Sequence, residues 1–464
     1  MKKKGEYNLK KTTQKEANLG QDPVGSLLFR LALPSILAQL INVLYNMVDR
    51  MYIGHIPEVG ANALTGVGVC MPVIMCISAF AALVSMGGAP RASIMMGKGD
   101  QDQAEKIMGN CAAMLCGIAV ILTVLFLVFG RDVLLMFGAS DATISYAWAY
   151  MQIYSCGTIF VQLALGLNAF INTQGFSKIG MMTVTIGAVC NIILDPIFIF
   201  GLHMGVRGAA LATILSQGVS CVWILKFLLG KKTILRLKRS NMKLQKEIVL
   251  PCVALGIAPF IMQFTESVLN VCFNTSLLKY GGDVAVGAMT ILTSVMQFSM
   301  LPLQGLSQGA QPIISFNFGA GNIDRVKSAF RLLLKCSMIF TSVMWLSCML
   351  FPQMYVGMFT ADPQLAQFTR WALRIYMAVS LLFGIQIACQ QTFIALGNAK
   401  VSVFLALLRK VLLLIPLIYI LPHFIANQTM AVFLAEPLAD AIAVSTTGTL
   451  FFREYRKLGR AQND

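Results

Sequence analysis

The sequence predicts an all-α membrane protein, with twelve transmembrane helices in two six-helix lobes related by a parallel internal repeat. Three observations carry this expectation. Of the 464 residues, 57% are hydrophobic and only 12% are charged, about half the charged share of a soluble domain. Apolar runs of roughly 20 residues, enough to cross a bilayer, recur from Ser26 to Phe452. Finally, landmarks of the first half return in the second at a nearly constant shift.

Hydropathy places spans near 26–54, 63–90, 108–130, 144–171, 179–201, 206–229, 248–276, 285–315, 330–352, 366–395, 400–422 and 430–452. Lys and Arg set the orientation. Thirty of the 36 fall on one side if both termini are cytoplasmic, in segments 1–30, 91–106, 178, 226–246, 325–335, 400–410 and 453–460. That bias is the topology signal of an inner-membrane protein, and it requires an even number of spans. The basic start, Met1 to Lys15, leads into a run too long for a signal-peptide core and reads as a retained tail.

The expected organisation is a tail (1–25), an amino lobe (26–229), a basic linker (230–247), a carboxyl lobe (248–452) and a second tail (453–464). The linker, GKKTILRLKRSNMKLQKE, is the most charged stretch of the chain. Pro34 in LALPSILAQL returns as Pro259 in LGIAPFIMQF, a shift of 225. Gly87 to Pro90 return as Gly309 to Pro312, Gly97 as Gly319, and Lys178 as Lys400, each at 222. An even number of spans per half makes this a parallel repeat. It is a two-lobed plan that suits a transporter with its pathway between the lobes.

Composition excludes several classes. The net charge is +16, but no basic stripe interleaved with aromatics points to nucleic acid. Twelve cysteines lie singly in apolar runs and histidine occurs three times, so a zinc site lacks ligands. His55, His203 and His423 fall at outer helix ends and read as interfacial. Gly305 to Gly309 spell GxSxG, but inside a predicted helix rather than at a strand-to-helix turn. There is no Walker A sequence to bind ATP. An enzyme is not expected, and no cofactor beyond a coupling ion is implied.

Charges inside apolar runs need a partner or a cavity. The amino half has Asp49, in YNMVDRMYIGH, and Asp195, in NIILDPIFIFG. Counted at 1.5 Å per residue, each lies about five or six residues from an outer helix end, so the two sit at similar depth. Tyr45 and Asn191 lie one turn inward of them, and Thr213 reaches that depth from the opposite direction. Two buried carboxyls at one depth repel when both are charged. The cluster would therefore hold a proton, a cationic substrate, or a Na⁺ ion among Asp49, Asn191, Asp195 and Thr213, one at a time. Tyr45, Asn168, Asn191 and Asp195 are the expected substrate contacts.

The carboxyl half has a secondary set: Glu266, Arg409, Glu436 and Asp440. Arg409 and Asp440 each fall about 15 Å from opposite membrane faces, which places both near the midplane. An ion pair between them is expected. Pro34, Pro90, Pro196, Pro259, Pro312, Pro416 and Pro437 are expected to interrupt or kink their helices.

Several of these stretches occur together, in order, in one known family. LPSILAQLINVLYNMVDRMYIGH, GGAPRASIMMGKGD, NIILDPIFIFGL with GVRGAALAT, QGAQPIISFNFGAGN and LGNAK resemble the multidrug and toxic compound extrusion (MATE) family over roughly residues 20–455. The pattern is most like the DinF-type branch and its MepA-like members. The resemblance implies efflux of cationic, lipophilic drugs as xenobiotics, driven by H⁺ or Na⁺, by a carrier that is a monomer by default and a source of antibiotic resistance. It also implies an amino-lobe binding cluster at Asp49, Asn168, Asn191, Asp195 and Thr213. Glu266 matches the helix 7 acid of the NorM-type branch. The helix 10 acid of that branch is missing from GIQIACQQTFIALG, which favours the amino lobe for coupling. The alternative is a lipid-linked oligosaccharide flippase of related architecture, which would want a strongly cationic cavity.

Overall fold

The computed structural model describes residues 17–460, and every regular element among them is helical. The parts of the expected tails at 1–16 and 461–464 lie outside the described residues. The amino lobe comprises α1 (Val24–Gly54), α2 (Gly60–Gly97), α3 (Gln101–Met136), α4 (Ile144–Cys156), α5 (Thr158–Thr173), α6 (Ser177–Pro196) and α7 (Val206–Leu229). The carboxyl lobe comprises α8 (Lys246–Gly319), α9 (Ile323–Leu350), α10 (Pro352–Gly357), α11 (Pro363–Tyr376), α12 (Phe383–Ala395), α13 (Ala399–Leu407), α14 (Ile415–Ile420) and α15 (Gln428–Arg460). One π-helical turn, Ile197–Gly201, extends α6, and another, Leu408–Leu414, joins α13 to α14.

Among the described residues, nine helical stretches are long and apolar enough to cross a bilayer, and the count rises to eleven when the bent pairs α4–α5 and α11–α12 each make one span. The twelfth is hidden in α8. Its 74 residues would run about 110 Å as one rod, against an apolar core of about 30 Å. It turns back at Gly282, with φ 65° and ψ −164°, a conformation open only to glycine. The result is twelve spans, six to a lobe.

The prolines behave differently from expectation. Helices run on through Pro34, Pro90, Pro259, Pro312 and Pro437. A proline deletes one bond of the ladder, yet it fixes φ near the helical value, and packed neighbours hold the helix together across the gap. Only Pro196 and Pro416 adjoin irregular turns. The sharp bends lie elsewhere: 59° between α4 and α5 at Gly157, and 46° between α11 and α12 at residues 377–379. Gly157 and Val379 are 222 residues apart, so the two bends are repeat mates. At Gly157 the chain passes so close to α7 that an added Cβ would lie 2.2 Å from Ile214 Cγ2.

Glycines also make the seam between lobes. A Cβ on Gly87 of α2 would lie 1.9 Å from the Cys252 carbonyl oxygen, and one on Gly256 of α8 would lie 1.7 Å from that of Leu83. Gly305 and Gly309 of α8 press in the same way on Ile36 and Ala32 of α1. Each first span finishes the core of the opposite lobe. Leu27, Leu28 and Leu31 of α1 pack with Ile313, Leu333 and Phe393, while Ile248 and Cys252 of α8 pack with Met108, Leu115 and Phe170. These contacts gather at the end of the bundle that carries both chain termini. Farther along, Phe80 meets Phe260 at 5.0 Å between ring centroids. Towards the opposite end Leu44 and Val271 are 60% and 62% exposed. The lobes thus close at the terminal end and part at the other.

The basic segment 230–247 is more than a connector. Leu235 is fully buried, Thr233 nearly so, and a short turn spans Arg239–Met242. The segment docks on the amino lobe before the chain enters α8.

Candidate functional site

Asp195 lies in the last turn of α6, where Pro196 and the π-helical turn follow directly. It is fully buried, and Asp49 on α1 is 8% exposed. The two carboxyls lie close enough to repel one another when both are charged. Asn191, one turn back on α6, donates from Nδ2 to Asp195 Oδ1 at 3.2 Å and to Thr213 Oγ1 on α7 at 3.4 Å. Helices α1, α6 and α7 thereby bring together Asp49, Asn191, Asp195 and Thr213. Tyr45 stands beside both acids, with Gln217 near its hydroxyl.

The cluster is short of donors. Asp49 Oδ1, Asp195 Oδ2 and Asn191 Oδ1 are buried without a hydrogen-bond partner. No ion pair reaches either acid among the described residues, and the adjacent Arg50 directs Nη2 to Met71 Sδ at 3.6 Å instead. A buried carboxylate left in that state is costly. Three converging acceptor oxygens and the Thr213 hydroxyl make a donor set that suits a proton or a hard monovalent cation.

A cavity of about 60 Å³ opens beside this cluster, lined by Asn42, Tyr45, Asn168, Asn191, Thr213 and Gln217, among others. Asn168 sits at its floor, donating from Nδ2 to the Gly180 carbonyl at 3.4 Å. Gly180 precedes Asn191 by three turns of α6, so Asn168 lies about 16 Å from Asn191 along the helix. It shares the cavity with Asn191 and Thr213, while Asp49 and Asp195 lie outside the lining.

One site residue was beyond the reach of sequence reasoning. Tyr150 on α4 is buried beside Asp49, with Thr213 near its hydroxyl, and its ring stacks on Tyr154 at 6.0 Å. Only the bend at Gly157 carries α4 into this position, and a sequence showing one continuous span gives no sign of it.

The secondary set also assembles. Arg409 donates from Nε to Asp440 Oδ1 at 2.5 Å, and its Nη2 lies 3.5 Å from Glu436 Oε1. Its guanidinium covers the Phe383 ring at 5.0 Å. Lys410, absent from the expected set, pairs with Glu266 at 2.8 Å. Arg409 and Lys410 are neighbours in the π-helical turn, where each reaches a different acid. Two cations thus face three carboxylates, and neither cation lacks a partner.

Comparison with known proteins identifies the family. The MatE family model matches residues 34–197 and again 259–420, once in each lobe. The chain is 26% identical over 394 residues to the multidrug export protein MepA of Staphylococcus haemolyticus, covering 85% of this chain and 86% of that one. It is 24% identical over 401 residues to MepA of Staphylococcus aureus strain N315, covering 86% and 88%. Among solved structures, an outward-facing multidrug-resistance MATE transporter of the MOP superfamily superposes with TM-score 0.89 at 21% identity over 97% of this chain and 99% of that one. A MATE structure in a bent conformation gives 0.91 at 21% identity over 98% and 100%. With a family match repeated in each lobe and multidrug export proteins as relatives over most of its length, this chain belongs to the MATE family of multidrug transporters, as a MepA-like member and not an enzyme.

Proposed function

We propose that the protein exports cationic, lipophilic compounds across the cytoplasmic membrane by antiport against H⁺ or Na⁺, with both termini cytoplasmic. The observation that carries this reading is the adjacency of Asp49 and Asp195, two buried carboxyls with orphan oxygens and, among the described residues, no ion pair. Such a pair takes up one positive charge readily and a second poorly. An ion and a cationic drug then displace one another, and mutual exclusion at one site is sufficient for antiport.

Energetics permit the cycle. One charge moving through 100 mV supplies about 2.3 kcal/mol, and a tenfold ion gradient adds about 1.4 kcal/mol. The flippase alternative wants a cationic cavity for pyrophosphate, whereas the amino-lobe site is acidic and the carboxyl-lobe cations are matched by acids.

The test is ethidium transport in proteoliposomes under imposed gradients. A pH or Na⁺ gradient alone should drive uptake against concentration, and collapsing it should stop uptake. Transport indifferent to both gradients would remove the antiport reading. No transport of any organic cation by folded protein would favour the flippase.

A further inference from the structure

The segment that precedes each lobe's first span grips the opposite lobe. Ahead of α1, Ala17–Asp22 crosses to the carboxyl lobe. Asn317 Nδ2 donates to the Leu19 carbonyl at 2.9 Å, and Arg325 Nη2 donates to the carbonyls of Leu19 and Asp22 at 3.0 and 2.7 Å. Arg325 Nε holds Asn317 Oδ1 at 3.0 Å, which orients both side chains. Leu19 is 4% exposed within the carboxyl-lobe core, and Gly20 lies against Phe316. The strap also borders the amino lobe at Gly175, where an added Cβ would lie 3.4 Å from the Ala17 carbonyl.

Ahead of the α8 spans, residues 233–245 do the same on the amino lobe. Gln174 Oε1 accepts from Thr233 Oγ1 and from the amides of Ile234 and Leu235, each at 2.8 Å. Asn110 Oδ1 accepts from the Gln245 amide at 2.8 Å, and Asn110 Nδ2 donates to the Asn241 carbonyl at 3.1 Å. Glu105 binds the Arg236 amide at 3.1 Å and pairs with Lys238. Thus two straps, related like the lobes themselves, cross-brace the terminal end.

They differ in one respect. The second strap is part of the covalent link between lobes. The first is not, and it is held to the far lobe by the side chains of Arg325 and Asn317 and by the burial of Leu19. It can detach while the covalent link between the lobes stays as it is. We infer that Ala17–Asp22 is the releasable latch of the gate at the terminal end, and that Arg325 is the positioning residue that sets how readily the carrier opens there. The inference rests on the alternating-access reading, because only a carrier that opens at both ends needs such a latch. Arg325 suits this role because its fork binds two carbonyls and one amide oxygen at once, a geometry that lysine cannot reproduce.

The test is hydrogen–deuterium exchange on the purified full chain, comparing wild type with Arg325→Gln and Arg325→Lys. Losing a charge-assisted contact of this kind should raise opening about tenfold. Faster exchange is expected in the strap and also in the seam, at residues 85–94 and 305–316. Slower exchange is expected where the lobes now part, at 40–47 and 264–271, with Arg325→Lys intermediate. Acceleration confined to the strap would overturn the inference, as would faster exchange at both ends. A second variant works in the opposite direction. Leu19→Cys with Asn317→Cys, joined by a cleavable thiol cross-linker, should lose ethidium transport and regain it on cleavage. A joined carrier that transports at its unjoined rate would also overturn the latch. If the unjoined variant and wild type both move no organic cation, the export reading fails, and the exchange pattern still decides the latch.

Discussion

Gly97 and Gly319, 222 residues apart, each press on a residue beside the other. A Cβ on Gly97 would lie 2.0 Å from the Phe316 carbonyl oxygen, and one on Gly319 would lie 2.0 Å from that of Ile94. Ile94 and Phe316 are themselves 222 residues apart. The contact is therefore a pseudo-two-fold interface, the internal equivalent of an isologous dimer contact.

This relationship predicts that Gly97→Ala and Gly319→Ala act alike. Each adds a methyl group where backbone blocks it, and overpacking of this kind costs about 1–3 kcal/mol. Both variants should melt lower in detergent by similar amounts and shift exchange in the seam in the same direction. Clearly unequal effects would mean that the two contacts do not share the load.

The carboxyl-lobe pair predicts an asymmetry. Arg409→Met leaves Asp440 and Glu436 buried together without their shared cation, and breaking such a group costs about 3–5 kcal/mol. Asp440→Asn leaves Arg409 with Glu436 at 3.5 Å and should cost less. Thermal unfolding of the two variants checks the order. Transport per folded molecule then separates a structural pair from a coupling site.

At the basic linker, Gln174→Ala removes one oxygen that serves three donors. Two backbone amides lose their partner, a penalty of about 1–3 kcal/mol each when water does not replace it, while the Thr233 hydroxyl keeps the Leu235 carbonyl at 2.8 Å. Amide exchange should rise across residues 231–238 and stay unchanged in α9.

Tyr150 gives the most local test of the site. Tyr150→Phe removes a hydroxyl near Thr213 and opens no cavity. Ethidium affinity should fall about tenfold, equivalent to 1.4 kcal/mol, with no loss of melting temperature. An unchanged affinity would reduce Tyr150 to packing.

Counting residues from helix ends was enough to bring Asp49 level with Asp195 and Arg409 level with Asp440, because a straight helix converts sequence distance into depth. The repeat was legible for a similar reason: glycines at a lobe seam cannot drift without steric cost. What remained hidden depends on tertiary packing. The bends at Gly157 and at residues 377–379 carry no proline, so Tyr150 had no reason to join the cluster. Lys410 was visible beside Arg409 in the sequence, but its pairing with Glu266 was not, because in a regular α-helix the two cations would diverge by about 100°. The π-helical turn changes that angle. The linker looked unstructured because its charges mask Leu235, which anchors it in the amino-lobe core with Leu237 and Met242 packed alongside.

The central claim is that ion and drug compete for the Asp49–Asp195 pair. The most direct measurement titrates purified protein with ethidium in weakly buffered solution. Released protons are followed with a pH indicator, and displaced radioactive Na⁺ is followed in a parallel sample. Binding should expel one of the two ions in proportion to occupancy, and Asp195→Asn should abolish that release while leaving the fold intact. Ethidium that binds wild type and expels neither ion would contradict the account.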